Sequence, residues 1–132
     1  MIALSPQIRV YLYRRPTDMR KSFHGLIALT EAELKQDPLS GSLFVFVNRR
    51  RDRIKILYWG ETGFCIWYQQ LQQGTYQLPR HDSLDEQDTL EVTRAQLSLI
   101  LDGIDLTSAR QRRRFQLERE VLRSDKDPRT DS

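Results

Sequence analysis

Leu43-Phe44-Val45-Phe46-Val47-Asn48-Arg49-Arg50-Arg51-Asp52-Arg53-Ile54-Lys55-Ile56-Leu57-Tyr58-Trp59 is the most informative run in the chain. Residues 43–47 are apolar at every position, the pattern of a central strand covered on both faces. The polar, arginine-rich stretch at 48–53 interrupts the pattern, and Ile54 to Trp59 reads as the next strand. Gly60-Glu61-Thr62-Gly63 then makes a tight connection to a third strand, Phe64 to Tyr68. The centre of the chain is therefore predicted to be an antiparallel meander with an arginine-rich hairpin. Gly74 marks a further turn, and Thr75 to Leu78 reads as a short last strand before Pro79.

Upstream, Ile8, Val10 and Leu12 alternate with Arg9, Tyr11 and Tyr13, the period-2 signature of a strand with one core face and one mixed face. Thr17 or Asp18 can cap a helix whose apolar stripe is Met19, Phe23, Leu26, Ile27 and Leu34, ending before Asp37-Pro38. Downstream, Arg80 to Asp88 reads as an exposed acidic loop. Thr93-Arg94-Ala95-Gln96 has the pattern of a capping box, followed by Leu97, Ile100, Leu101 and Ile104 on one helical face. A last, weakly amphipathic helix starts at Ser108, and residues 124–132 have the composition of a disordered tail. The expected fold is α+β: an antiparallel β-meander sheet with a long helix from the N-terminal half packed on it and one or two C-terminal helices. Residues 1–106 form the expected domain and 107–132 an arginine-rich helix and tail.

Hydrophobic residues make up 39% of the 132-residue chain and charged residues 30%, which suits one domain with one core. Mean hydropathy is -0.61, and the apolar runs fall far short of the roughly 20 residues of a spanning helix, so no membrane association is expected. Met1-Ile2-Ala3-Leu4-Ser5-Pro6 lacks the basic-then-apolar pattern of a signal peptide, which predicts a cytoplasmic location. Cys65, the single cysteine, lies among Phe64, Ile66 and Trp67 and reads as a small buried hydrophobe.

The charges are segregated. Residues 1–80 carry 12 Lys and Arg against 6 Asp and Glu, residues 81–108 carry 1 against 7, and residues 109–132 carry 8 against 5. With a pI near 9.2, uncovered basic faces would attract polyanions. Arg49, Arg50, Arg51, Arg53 and Lys55 are the densest basic group, and Arg14, Arg15, Arg20 and Lys21 form a second. Guanidinium groups on a hairpin can bond phosphates bidentately and release counterions; the alternative is a solubilising turn that blunts sheet pairing. Arg110, Arg112, Arg113 and Arg114 open the last expected helix, a placement that helix stability does not explain. Tyr11 and Tyr13 share a face with Arg9 and are the candidate partner-binding residues.

Catalytic chemistry finds little support. Phosphate-loop, dinucleotide-binding and His-Glu-x-x-His patterns are missing from the sequence, and His24, His81 and Cys65 make a poor basis for a zinc site. Asp82, Asp85, Glu86, Asp88 and Glu91 are dense, but they read as a solvated acidic loop ahead of a metal site, with an intramolecular cover for the basic surface as a third reading. No cofactor, metal or catalytic residue is expected.

Several motifs occur together in one order: Pro16-Thr17-Asp18-Met19-Arg20-Lys21 with Phe23 and Gly25-Leu26; Gly41-Ser42-Leu43-Phe44-Val45-Phe46 with Asn48-Arg49-Arg50; Asp52 to Trp59 and Gly63; then Leu71, Gly74, Gln96-Leu97 and Gly103-Ile104-Asp105. In this the chain resembles the TnpB-type, Orf2-like accessory proteins of IS66 family insertion sequences, over roughly residues 1–106. The resemblance implies a non-catalytic accessory factor of bacterial transposition, encoded beside a DDE transposase. DNA, at element ends or target, is then the expected partner of the arginine hairpin. The alternative is a protein adaptor docking on the transposase or another accessory subunit. The resemblance carries over no catalytic residue and confines the candidate positions to Asp18, Arg20 and Lys21 and to Arg49, Arg50, Arg53 and Lys55.

Overall fold

The computed structural model describes residues 8–79 and 87–102. Most of the acidic loop, with Asp82, Asp85 and Glu86, lies outside the described residues, as do His81, Ile104, the last expected helix with Arg110 and Arg112–Arg114, and the tail.

The described elements are β1 (Val10–Tyr13), α1 (Phe23–Ala32), β2 (Leu43–Val47), β3 (Arg53–Trp59), β4 (Phe64–Gln70), β5 (Thr89–Val92) and α2 (Arg94–Leu101). The strands form one sheet in the order β4-β3-β2-β1-β5. β2, β3 and β4 make the expected antiparallel hairpins. β1, however, runs parallel to β2, with Val10 opposite Leu43 and Tyr13 opposite Phe46. The sheet is therefore mixed, and the expectation of an antiparallel meander is wrong for its first strand. A parallel pair needs a crossover connection, and residues 14–42, with α1 among them, supply it.

The long helix is also corrected: α1 has 10 residues. It starts at Phe23 because the backbone before it is committed elsewhere. The Lys55 ammonium takes the carbonyls of Met19 and Lys21, and Lys21 N–H closes a turn on Asp18 O. At the other end Lys35 adopts φ 55°, a left-handed conformation that turns the chain away before Asp37-Pro38 is reached. Residues 75–78 form no strand, whereas the unanticipated β5 pairs antiparallel with β1, Leu12 opposite Leu90.

Two apolar clusters sandwich the sheet. On one face, Val10, Leu12, Val45, Val47, Ile54 and Ile56 pack with Val92, with Leu97, Ile100 and Leu101 of α2, and with Tyr76. On the other, Tyr11, Tyr13, Phe44, Phe46 and Leu57 pack beneath Leu26 and Leu34. Every side chain of β2 is buried, which explains its unbroken apolar run. The α2 capping box forms as the sequence indicates: Gln96 N–H donates to Thr93 Oγ1 at 3.0 Å and Thr93 N–H to Gln96 Oε1 at 2.8 Å. Among the described residues no helix is long and apolar enough to cross a membrane.

Candidate nucleic-acid interface

Because β1 and β2 are parallel, the chain leaves both at the same end of the sheet. The 14–21 arm that follows β1 and the 48–52 hairpin that follows β2 therefore emerge side by side. Thr17 N–H donates to Val47 O at 2.9 Å, tying the arm to the exit of β2.

Asn48 shapes the hairpin. Its Oδ1 accepts from the backbone N–H of Asp52 and of Arg53, each at 3.0 Å, and its Nδ2 donates to Asp52 Oδ1 at 2.7 Å. Asparagine and aspartate at this spacing close a turn with their own side chains. The run of arginines hides that signal in the sequence. Arg51 sits at φ 59°, and its carbonyl accepts from Tyr76 N–H at 2.6 Å, while Asp52 O accepts from Leu71 N–H at 2.7 Å. The chain after β4 thus braces the tip from behind. Tyr76 is itself buried, its hydroxyl donating to Gln69 Oε1 at 2.8 Å, and burial pushes that hydroxyl's pKa up.

Arg49, Arg50 and Arg51 are exposed at the tip and Arg53 is half-buried at its base. Among the described residues, none of these four guanidinium groups has a carboxylate within ion-pair distance. Arg20 is exposed on the neighbouring arm and held by Asp18, with Nη2 2.7 Å from Oδ2 and Nε 3.1 Å from Oδ1. The Arg20 side chain, and then its backbone N–H, hold the Asp18 carboxyl at a pKa of about 2. Between arm and hairpin lies an open depression of about 530 Å³, lined by residues that include Thr17, Asp18, Arg20, Asn48, Arg49, Arg50, Asp52 and Arg53. Thr17 is 4% exposed, and its Oγ1 has no hydrogen-bond partner among the described residues.

The remaining candidates fall differently. Arg14 and Arg15 begin the arm and meet Asp88, the residue before β5: Arg14 N–H donates to Asp88 O at 2.7 Å, and Arg15 Nη1 is 3.9 Å from Asp88 Oδ2. Lys21 is exposed, and its stem lies over Gly25, where an added Cβ would come within 3.0 Å of Lys21 Cβ. Lys55 is only 8% exposed, its ammonium donating to two backbone carbonyls. Tyr11 and Tyr13 do not form an outward face. Both are buried, Tyr11 stacked on Phe44 at 5.9 Å and Tyr13 edge-on to Phe46 at 6.1 Å. The Tyr13 hydroxyl donates to Glu33 Oε1 at 3.2 Å. Burial, followed by the Glu33 charge, raises its pKa. The face that looked mixed in sequence is the one α1 covers.

The model of the family described as IS66 Orf2 like protein matches residues 8–111. That span contains both basic loops and runs past the expected boundary at residue 106. Two relatives come from Sinorhizobium fredii (strain NBRC 101917 / NGR234). Uncharacterized protein y4jC is 30% identical over 112 residues, covering 85% of this chain and 92% of the relative. Uncharacterized protein y4hO is 32% identical over 105 residues, covering 80% and 88%. No solved structure matches the chain. The chain belongs to the IS66 Orf2-like family, whose members are insertion-sequence accessory proteins and not the transposase.

Proposed function

We propose that this accessory protein binds duplex DNA through the end of the sheet where the arginine hairpin and the 14–21 arm meet, without itself cutting or joining strands. One observation carries the reading: parallel pairing of β1 and β2 sets exposed Arg49 and Arg50 beside Arg20 around a common depression, with Arg51 exposed at the same hairpin tip. Such a surface reads the phosphate backbone, with affinity drawn from counterion release. Arg15 lies on the flank 3.9 Å from Asp88, and Arg20 is paired with Asp18, so both contribute less than the hairpin arginines, which are unpaired among the described residues. Lys55, being buried, contacts no phosphate. An adaptor role on the transposase would need a surface other than Tyr11 and Tyr13.

Fluorescence anisotropy with a labelled terminal-repeat duplex, repeated over a NaCl series, tests the proposal. Each phosphate neutralised adds about 0.9 to the slope of log Kobs against log[salt]. Replacing Arg49, Arg50 and Arg51 together with Ala should lower the slope by roughly 2–3. Absence of binding at low salt, or full binding by the triple variant, overturns it. Co-purification with the transposase free of nucleic acid, in the absence of DNA binding, would favour the adaptor.

A further inference from the structure

Lys55 looks in sequence like one more member of the hairpin's basic cluster. It lies on β3 opposite Phe46 of β2 and Tyr68 of β4, on the sheet face that α1 covers. Its ammonium donates to Met19 O at 2.8 Å and Lys21 O at 2.7 Å, and sits 4.7 Å from the centroid of the Tyr68 ring. Two carbonyl dipoles and an aromatic face thus surround the charge, the combination that makes burying an ammonium tolerable without a carboxylate.

Helix stability does not account for this placement. A cation just before the start of α1 opposes the helix dipole, and the carbonyls it holds are those that would otherwise accept from the next helical turn. The contact instead fixes the backbone on either side of Arg20, and with Thr17 N–H on Val47 O it moors the arm to the sheet at two points.

Resting on the proposed DNA-binding role, we infer that Lys55 is a positioning residue. It orients Arg20 and Lys21 toward the phosphates that the hairpin engages, and touches no phosphate itself. Its effect on binding must then pass through those two side chains.

A double-mutant cycle on the full chain reads this directly, with anisotropy of the same duplex across NaCl concentrations. Lys55→Met keeps the apolar stem and removes the ammonium. In the wild-type background it should lower the salt slope by up to the combined share of Arg20 and Lys21. Added to Arg20→Ala/Lys21→Ala it should change neither slope nor affinity. A further drop of about 0.9 in slope in that background marks a direct phosphate contact and overturns the inference. Amide hydrogen exchange supplies a readout that does not need DNA. Lys55→Met should deprotect Lys21 N–H and Thr17 N–H while Arg53 N–H in the hairpin keeps its protection; unchanged protection of the arm overturns the inference. If the wild type binds no DNA, the functional proposal falls, while the exchange result still decides whether Lys55 moors the arm. Should Lys55→Met fail to fold, the wild-type ammonium is observed by nitrogen-15 NMR. Slowly exchanging Nζ protons coupled to the Met19 and Lys21 carbonyls support the inference, and a rapidly exchanging ammonium overturns it.

Discussion

Replacing Asn48 with Ala should be the most damaging single change outside the apolar clusters. The side chain makes three hydrogen bonds, two accepted from the backbone N–H groups of Asp52 and Arg53 and one donated to the Asp52 carboxylate. Each is worth about 0.5–1.5 kcal/mol net. Asn48 is half-buried, so the lower part of that range applies to the donors that water can reach, and the sum is about 2 kcal/mol. For a domain of this size that lowers Tm by roughly 6–12 °C. Urea and thermal unfolding followed by circular dichroism measure it. Asn48→Asp sharpens the test, because it keeps the two acceptor bonds, loses the donor and sets a second carboxylate against Asp52. It should fall between wild type and Asn48→Ala at neutral pH and recover part of the loss in acid. A change below about 0.5 kcal/mol for Asn48→Ala, the size of an ordinary surface substitution, would mean that the arginine hairpin does not depend on this side chain and would refute the reasoning.

Other outcomes follow from single contacts. Asp18 has its pKa lowered from 3.8 to about 2, so the stabilisation from its pairing with Arg20 is fully present above about pH 4 and is lost as pH falls through about 2; a carbon-13 carboxyl titration should show that midpoint, and one near 4 contradicts the pairing. Thr17→Val removes a buried hydroxyl that has no partner among the described residues and should raise stability by about 1 kcal/mol; a loss of that size in urea unfolding would reveal an unrecognised partner. A Cβ at Gly60 would come 2.9 Å from Cys65 Sγ, so Gly60→Ala should cost about 1–2 kcal/mol. Cys65→Ala in the same chain should restore most of it, and additive losses would count against the clash.

The central strands were legible because they are long and patterned. β2, apolar throughout, is buried on both faces, and the capping box before α2 forms with both of its bonds. Strand direction was not legible in the same way, since nothing in Ile8 to Tyr13 says whether the strand pairs parallel or antiparallel. The clue lay farther off: a helix-bearing connection between two strands is what a parallel pair requires. The length of α1 was overstated because apolar spacing from Met19 to Leu34 continues through residues whose carbonyls a distant lysine captures. β5 escaped notice because its four residues follow an acidic stretch and offer only Leu90 and Val92 as a pattern. Within the site, the arginines stood out by composition, and the burial of Lys55 could have been read from strand alternation, as it shares a face with Leu57. Thr17 read as a helix cap but ties the arm to β2 instead, and the turn formed by Asn48 and Asp52 was masked by the arginines between them.

Parallel pairing of β1 and β2 has a consequence for how the protein could change over time. The gap between the two basic projections is set by adjacent strands, about 4.8 Å apart at their roots, and not by the length of either projection. Lengthening or recolouring the tip of one would alter how far it extends and what it prefers, while its offset from the other stayed constant. The sheet acts as a fixed gauge on which variable fingers can be mounted.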